Sequence, residues 1–462
     1  MSLFEKRENF DIQLNLVLDE LYDLPNSLNH QNEDDLITAV IESSKSDCTK
    51  IIKDDFSNIV SDIKTIFFKS SLNTTSPTFF AYMPGGGIPM ASLADFIESH
   101  LNRYFGVSMA APYFNRIESN VIKWLGNIIG FQENCSGVLT SGGSMANFYA
   151  VCCAINRKAI YDRNVLAFYF SDQTHSCIYK ALKVLGISKS QIKVINSNDN
   201  QVIEIIKLRE KIISDKKEGL IPCMLIGNVG TVNSGGIDDI ETLSSICRSE
   251  NIWLHLDAAY GGFFNLAPSC QFQLKNMQLA ESVTVDPHKS LFMPYGIGAL
   301  IVRDKNDLLT TFSPEDEEDY LPDMEEFKEL TNFAEMSLEM SRNCRGFKIW
   351  MCLKYYGEEV FSKALEHKRQ LAIFLDQNLR QINGVNILTA TTLSIVNFNY
   401  NDDETTKKLY EKITSRRKVA LSSTQINRKF SIRINVLNHK TKEEHIDILL
   451  NEIKYAIGSI DG

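Results

Sequence analysis

From about residue 135 the chain alternates short, almost wholly apolar runs with longer stretches of helical periodicity, and this alternation constrains its fold more than any other feature. Residues 165–170, 192–195, 223–226, 252–257, 283–285 and 299–302 read as strands. Runs this short and apolar are buried on both faces, and the intervening lengths suit crossover helices. The pattern predicts an α/β fold with a largely parallel central sheet covered by helices on both faces. In such a sheet the loops that carry chemistry lie beyond the carboxyl ends of the strands.

A chain of 462 residues has length for two domains. Helical patterning at Leu14, Val17, Leu18 and Leu21 opens a segment without a catalytic constellation, so residues 1–85 are expected to form an N-terminal helical arm or docking segment. Leu93, Phe96, Ile97 and Leu101 repeat at helical spacing, as do Ile117, Val121, Ile122, Leu125, Ile128 and Ile129, predicting two packing helices. The large domain is expected over residues 86–330. Beyond it, a long helical run over about 345–377 precedes alternating segments at 393–398 and 430–434, separated by a charged helical stretch. That order predicts a smaller C-terminal α/β domain over residues 331–462.

Composition excludes several classes of function. The formal net charge of −10 lacks the basic footprint of a nucleic-acid binder. No window approaches the roughly 20 apolar residues needed to span a bilayer, and the opening MSLFEKRENF does not resemble a secretory leader. A cytoplasmic location is therefore expected. The 10 cysteines are scattered through apolar segments with no CxxC pair, which predicts buried thiols and no metal site. Glu315–Asp319 is an acidic run that reads as solvated loop.

Several strand ends carry chemistry-bearing residues. Asp257 closes the run Leu254-His255-Leu256-Asp257, and Asp286-Pro287-His288-Lys289 follows the next strand. If those strands are neighbours, an acid and a lysine could hold opposite ends of one cofactor, pyridoxal 5'-phosphate. Asp257 would stabilise the protonated ring nitrogen and Lys289 would form a Schiff base with the aldehyde. Taken singly, an acid at a strand end caps a loop or binds metal, and a lysine is a surface charge. The apolar residues around Lys289 argue against the surface.

The other motifs fit the same cradle. Thr140-Ser141-Gly142-Gly143-Ser144 precedes a helical run, where small residues and free N–H groups bind phosphate. His288 could donate to phosphate, and His175 in Asp172-Gln173-Thr174-His175-Ser176 could stack on a ring. Thr231 follows another strand and could either contact the cofactor's ring oxygen or stabilise its own turn. Phe79, Phe80 and Tyr82 precede Gly85-Gly86-Gly87 and could face a substrate, while the glycines could instead open polar space. Arg433, within a strand-like run, could pair with a substrate carboxylate or hold the C-terminal domain together.

These motifs, with FFAYMP, GVLTSGGSMAN, SDQTHS, GNVGTVNSGGIDDI, WLHLDAAYGG, SVTVDPHKS and SRNCRGFKIW in this order, resemble the group II pyridoxal phosphate-dependent amino-acid decarboxylases, the aromatic amino-acid and glutamate decarboxylase-like family. The resemblance spans about residues 79–357. It implies the aspartate-aminotransferase fold type I, pyridoxal phosphate as cofactor and a homodimer with active sites at the subunit boundary. It further implies that His175 stacks on the ring, Thr231 contacts its oxygen side, Asp257 meets its nitrogen and Lys289 holds the aldehyde. Gly143 and Ser144 carry the phosphate positions, with Ala259, Asp286 and His288 in the cofactor set. Asp286 stands where the family often has asparagine, and an ionised aspartate repels phosphate. Met145 stands where glutamate is common and is left out of that set.

The implied activity is decarboxylation of an L-amino acid to its amine and carbon dioxide. In aromatic amino-acid decarboxylases a tyrosine of a mobile loop returns the proton, and the approximate match here is Phe333, which has none to give. Tyr320, His175 and Lys289 stand as alternative donors. The Phe333 departure keeps decarboxylation-dependent oxidative deamination open, alongside amino-group transfer and, as a different class, a non-enzyme scaffold. Aromatic amino acids, 2,4-diaminobutyrate, glutamate, aspartate and cysteine sulfinate all stand as substrates.

Overall fold

The computed structural model describes residues 13–17, 54–63, 72–132, 134–313 and 330–461. Tyr320 and the acidic run at 315–319 lie outside them, as do Leu18 and Leu21. A seven-stranded sheet forms the larger layer, in the order β1 (Ser136–Thr140), β7 (Gly298–Val302), β6 (Ser282–Val285), β5 (Trp253–Asp257), β4 (Ile221–Asn228), β2 (Leu166–Ser171) and β3 (Ile192–Ile195). Strands β3, β2, β4, β5 and β6 pair in parallel, whereas β7 runs antiparallel to both β6 and β1. The reversal has a local cause. Only residues 286–297 join β6 to β7, and they hold a single helical turn, Pro287–Ser290, too short for a crossover back to the sheet's start.

Every residue of β2, β6 and β7 is buried, as expected of strands covered on both faces. The covering helices include Gly143–Lys158, Cys177–Val184, Ile205–Lys217 and Ile240–Glu250. The helix Pro112–Ile129 turns Ile117, Val121, Ile122, Leu125 and Ile129 into the core, begins with proline at its first turn and stops at Gly130 in the left-handed region. The helix Pro89–Leu101 differs. It buries Ala91, Ala94 and Glu98, while Leu93, Phe96 and Leu101 face outward. The packing expected of those three residues is therefore not made within one chain.

A second sheet of four antiparallel strands has the order β10 (Ser422–Ile426), β11 (Lys429–Asn435), β9 (Ile395–Tyr400) and β8 (Val385–Ile387). The helices Asp403–Ser415 and Glu443–Asp461 close a separate apolar core against it. The long helical stretch read at 345–377 is two helices, Gly346–Tyr356 and Glu358–Leu379, parted at Gly357 with φ 78°. The segment around Phe79 reaches this second sheet: Phe79 bridges Ala420, and Phe80 is buried among Leu375, Val396 and Ile434.

Where Pro112–Ile129 meets Gly346–Tyr356, the carboxylate of Glu118 is fully buried. It accepts from the Arg342 guanidinium at 2.5 Å and from the Gly346 amide at 2.9 Å. Arg342 in turn lies over Phe105 and Phe333, whose rings stack 5.3 Å apart. Removing one charge of a buried pair strands the other, which costs about 3–5 kcal/mol. Glu118→Gln is accordingly expected to lower the unfolding free energy read from urea melts by about 3–5 kcal/mol, and an unchanged free energy would mean that the pair contributes no stability.

Candidate active site

Parallel register brings the chemistry together. Asn228 and Asp257 are paired residues at the carboxyl ends of β4 and β5, and Asp257 is paired in turn with Thr284 of β6, two residues before Asp286. Beyond these ends lies a cavity of about 350 Å³. Gly143, Ser144, His175, Thr231, Asp257, Ala259, Asp286, His288 and Lys289 all line it.

One wall is the turn before the helix Gly143–Lys158. Gly142 sits at φ 153°, and a Cβ on Gly143 would come within 2.7 Å of the Asp286 carboxylate. Only a glycine turn allows that approach, which leaves the first N–H groups of a 16-residue helix facing the cavity. His288 borders the same turn, and its buried Nδ1 has no hydrogen-bond partner among the described residues.

Lys289 closes the floor. Its ammonium pairs with Asp286 Oδ2 at 2.9 Å. Burial alone would lower its pKa, but the Asp286 and Asp257 carboxylates outweigh burial and hold it above that of a free lysine. Asp286, expected beside phosphate, thus serves as the counter-charge of the lysine, and its other oxygen is buried without a partner. Gly85 explains why the preceding loop is glycine-rich. A Cβ there would stand 2.7 Å from the His288 carbonyl and 2.8 Å from that of Lys289, so the turn packs on the lysine's backbone instead of opening space for substrate.

Asp257 is fixed at both oxygens: Oδ1 accepts from the Ala259 amide at 3.2 Å and Oδ2 from Asn147 Nδ2 at 2.9 Å. The His175 ring accepts the Cys177 amide at Nδ1, 3.3 Å away, which places its proton on Nε2. Burial lowers the His175 pKa, with Asp257 opposing, and burial lowers that of His288 in the same way. Thr231 lines the cavity with its hydroxyl already engaged by Ser234 at 2.6 Å and by the Gly236 amide at 3.1 Å. That is the turn-stabilising role.

Substrate candidates stand elsewhere. None of Phe79, Phe80, Tyr82, Phe333 and Arg433 borders the cavity of a single chain. Phe79, Phe80 and Phe333 are core residues. The Tyr82 ring points to solvent from a backbone at φ 53°. Arg433 is buried and donates to the carbonyls of Val232 at 2.8 Å and Tyr82 at 3.0 Å, tying the second sheet to the cavity's rim; desolvation pulls its pKa down to about 10. Asn147, Cys177 and Asn228, not among the site residues expected from the sequence, also face the cavity, as does Met145, which was left out of the cofactor set. Asn147 was discoverable, since it follows Gly143 by one helical turn and shares its face.

The cavity suits pyridoxal phosphate on structural grounds: a glycine cradle at a helix start for an anion, an orphaned imidazole nitrogen beside it, a fixed carboxylate and a buried lysine. Fold and cavity together define a fold type I pyridoxal phosphate enzyme. Comparison with known proteins narrows the class. The family model described as the pyridoxal-dependent decarboxylase conserved domain matches residues 41–401. An aromatic-L-amino-acid decarboxylase of Bacillus atrophaeus is 34% identical over 397 residues, covering 84% of this chain and 82% of that protein. A 4-hydroxyphenylacetaldehyde synthase of Rhodiola rosea is 27% identical over 425 residues, covering 87% and 85%. The crystal structure of Oryza sativa TDC with PLP and tryptamine superposes with a TM-score of 0.91 at 21% identity over the whole of both chains. The chain belongs to the pyridoxal-dependent decarboxylase family, and its activity is the pyridoxal phosphate-dependent decarboxylation of an amino acid to an amine.

Burial carries one pH prediction. It depresses the His255 pKa to about 4, with Asp257 and Ser282 opposing, so the folded ring stays neutral where the unfolded ring takes a proton near 6.5. The resulting stability is complete above pH 6.5 and is lost as pH falls toward 4. Between pH 7 and pH 5 the urea midpoint of His255→Gln should fall less than that of the wild type; equal falls would contradict the assignment.

Proposed function

We propose that the chain decarboxylates aromatic L-amino acids to arylalkylamines, as a cytoplasmic homodimer. The observation that carries the reading is the single cavity uniting the Gly143 turn, Asp257 and Lys289 at the carboxyl ends of three neighbouring strands. Pyridoxal phosphate, when bound, supplies an electron sink for the bond to the departing carboxylate. The residues of the chain supply position and charge. The amides at Gly143 and Ser144 and the His288 imidazole hold the phosphate. Asp257 keeps a proton on the ring nitrogen, and His175 covers the ring face. Lys289 would hold the aldehyde end of the cofactor and, with the substrate amine in place, would move protons at the substrate α-carbon. Asp286 holds Lys289 in place until the aldehyde arrives, as its 2.9 Å contact with the ammonium supports.

Support for an aromatic substrate comes from the relatives: the Bacillus atrophaeus protein and the 26%-identical Cavia porcellus protein are both aromatic-L-amino-acid decarboxylases by name. Support for two copies comes from the outer face of Pro89–Leu101, where Leu93, Phe96 and Leu101 are exposed together with Tyr104, Met109 and Tyr113. Exposed apolar side chains gathered along one segment are what a subunit interface would cover. Among the described residues no substrate candidate borders the cavity of one chain, which is consistent with a partner contributing to it. The nine described cysteines are free thiols, seven of them buried, which suits a reducing compartment. We also take residues 86–330 as the large domain, 331–462 as the small one and 1–85 as an N-terminal helical arm or docking segment.

One observation favours a second outcome, oxidative deamination to an aldehyde. Two relatives, of Rhodiola rosea and Arabidopsis thaliana, are named aldehyde synthases. A screen of amino acids measuring carbon dioxide, amine, aldehyde and peroxide together decides. Aromatic substrates are expected to give amine stoichiometric with carbon dioxide, at a kcat/KM at least ~10-fold above that for glutamate or aspartate. Stoichiometric aldehyde and peroxide would replace this reading with the second. In the same preparation, native mass is expected to be twice that of the 52.3 kDa chain, and Phe96→Glu should shift it toward the monomer.

A further inference from the structure

Behind Asp257 runs a line of buried polar groups that the reaction as derived does not use. The Trp253 indole Nε1 lies 2.8 Å from Ser282 Oγ, which lies 2.8 Å from His255 Nδ1. His255 Nε2 lies 2.9 Å from Asn147 Oδ1, and Asn147 Nδ2 lies 2.9 Å from Asp257 Oδ2. Its two ends fix the direction. An indole N–H only donates, and a carboxylate only accepts. The Asn147 amide donates to the carboxylate, so its carbonyl faces the proton on His255 Nε2. The neutral ring then accepts at Nδ1 from Ser282, whose oxygen receives the Trp253 N–H. The reverse setting of the amide would turn its carbonyl on the carboxylate.

We propose that Asn147 and His255 are positioning residues for Asp257, a one-way donor relay that holds its carboxylate oriented toward the cofactor's ring nitrogen. His255 and Asn147 are buried, so each donor in the line meets an acceptor shielded from water, where charge-assisted bonds are strongest. The Asn147 amide has a second proton, engaged by Cys177 Sγ at 3.2 Å, so the side chain has no freedom to turn away. Thr284 Oγ1, 3.5 Å from His255 Nε2, flanks the ring from β6. A neutral donor anchors the carboxylate without setting a lysine or arginine where the cationic ring nitrogen would lie. A basic partner there would compete for the carboxylate.

The inference rests on Asp257 meeting the ring nitrogen, and its test separates the two. Apoprotein is titrated with pyridoxal phosphate and with the carbocyclic analogue in which a C–H replaces the ring nitrogen, and dissociation constants are read from absorbance. Wild type is expected to prefer pyridoxal phosphate. Asn147→Leu, close in volume but without the donor, is expected to bind pyridoxal phosphate ~10-fold more weakly, with the analogue changed less than ~2-fold. His255→Gln keeps a donor near the place of Nε2 and is expected to retain the wild-type preference. If Asn147→Leu does not fold, the smaller Asn147→Ala carries the same expectation. Equal loss on both ligands, or a preference unchanged from wild type in the Asn147 variants, overturns the relay. A wild type that binds both ligands equally overturns the role of Asp257 itself.

Discussion

Everything at the site depends on the parallel register of β4, β5 and β6. Pairing Asn228 with Asp257, and Asp257 with Thr284, brings to one edge of the sheet residues widely separated in sequence. Slipping one strand by a single residue would turn Asp257 to the opposite face. Burial on both sides forbids the slip, because Leu254 and Leu256 would change places with His255 and Asp257. The hydrophobic effect that builds the sheet thus also sets the distance between an acid and a lysine.

The connection from β6 to β7 turns that register into a reactive site. Being short, it reverses the chain and leaves Pro287–Ser290 as one helical turn at the sheet edge. Lys289 is there held from below by Asp286 and from behind by the Gly85 turn, whose lack of a side chain lets two backbones touch. A buried ammonium needs its counter-charge, and Asp286 provides it at 2.9 Å. This chain carries an acid where a neutral side chain would suit phosphate, and the ion pair is the physical reason such a residue fits.

Much of this was legible in the sequence, for reasons particular to each element. The central strands were readable because strands buried on both faces are mostly apolar, with few polar residues to break the run. β8 has three residues, and β10 reads Ser-Ser-Thr-Gln-Ile, so neither carries such a signal. The cofactor cradle was readable because glycine, histidine, aspartate and lysine at strand ends have few other uses together. Phe79, Phe80 and Phe333 were not, since an aromatic ring has the same letter whether it faces a pocket or a core. Asn147 escaped because an asparagine inside a helix is unremarkable until His255 and Asp257 are seen on either side of it.

The central claim is that Lys289, in this setting, is the residue that carries pyridoxal phosphate. Borohydride reduction of the holoprotein followed by peptide mass mapping tests it directly. The account predicts one phosphopyridoxyl group, on the peptide containing Asp286-Pro287-His288-Lys289 and on Lys289 within it. A group fixed to another lysine, or cofactor bound tightly yet left unattached by reduction, would contradict it.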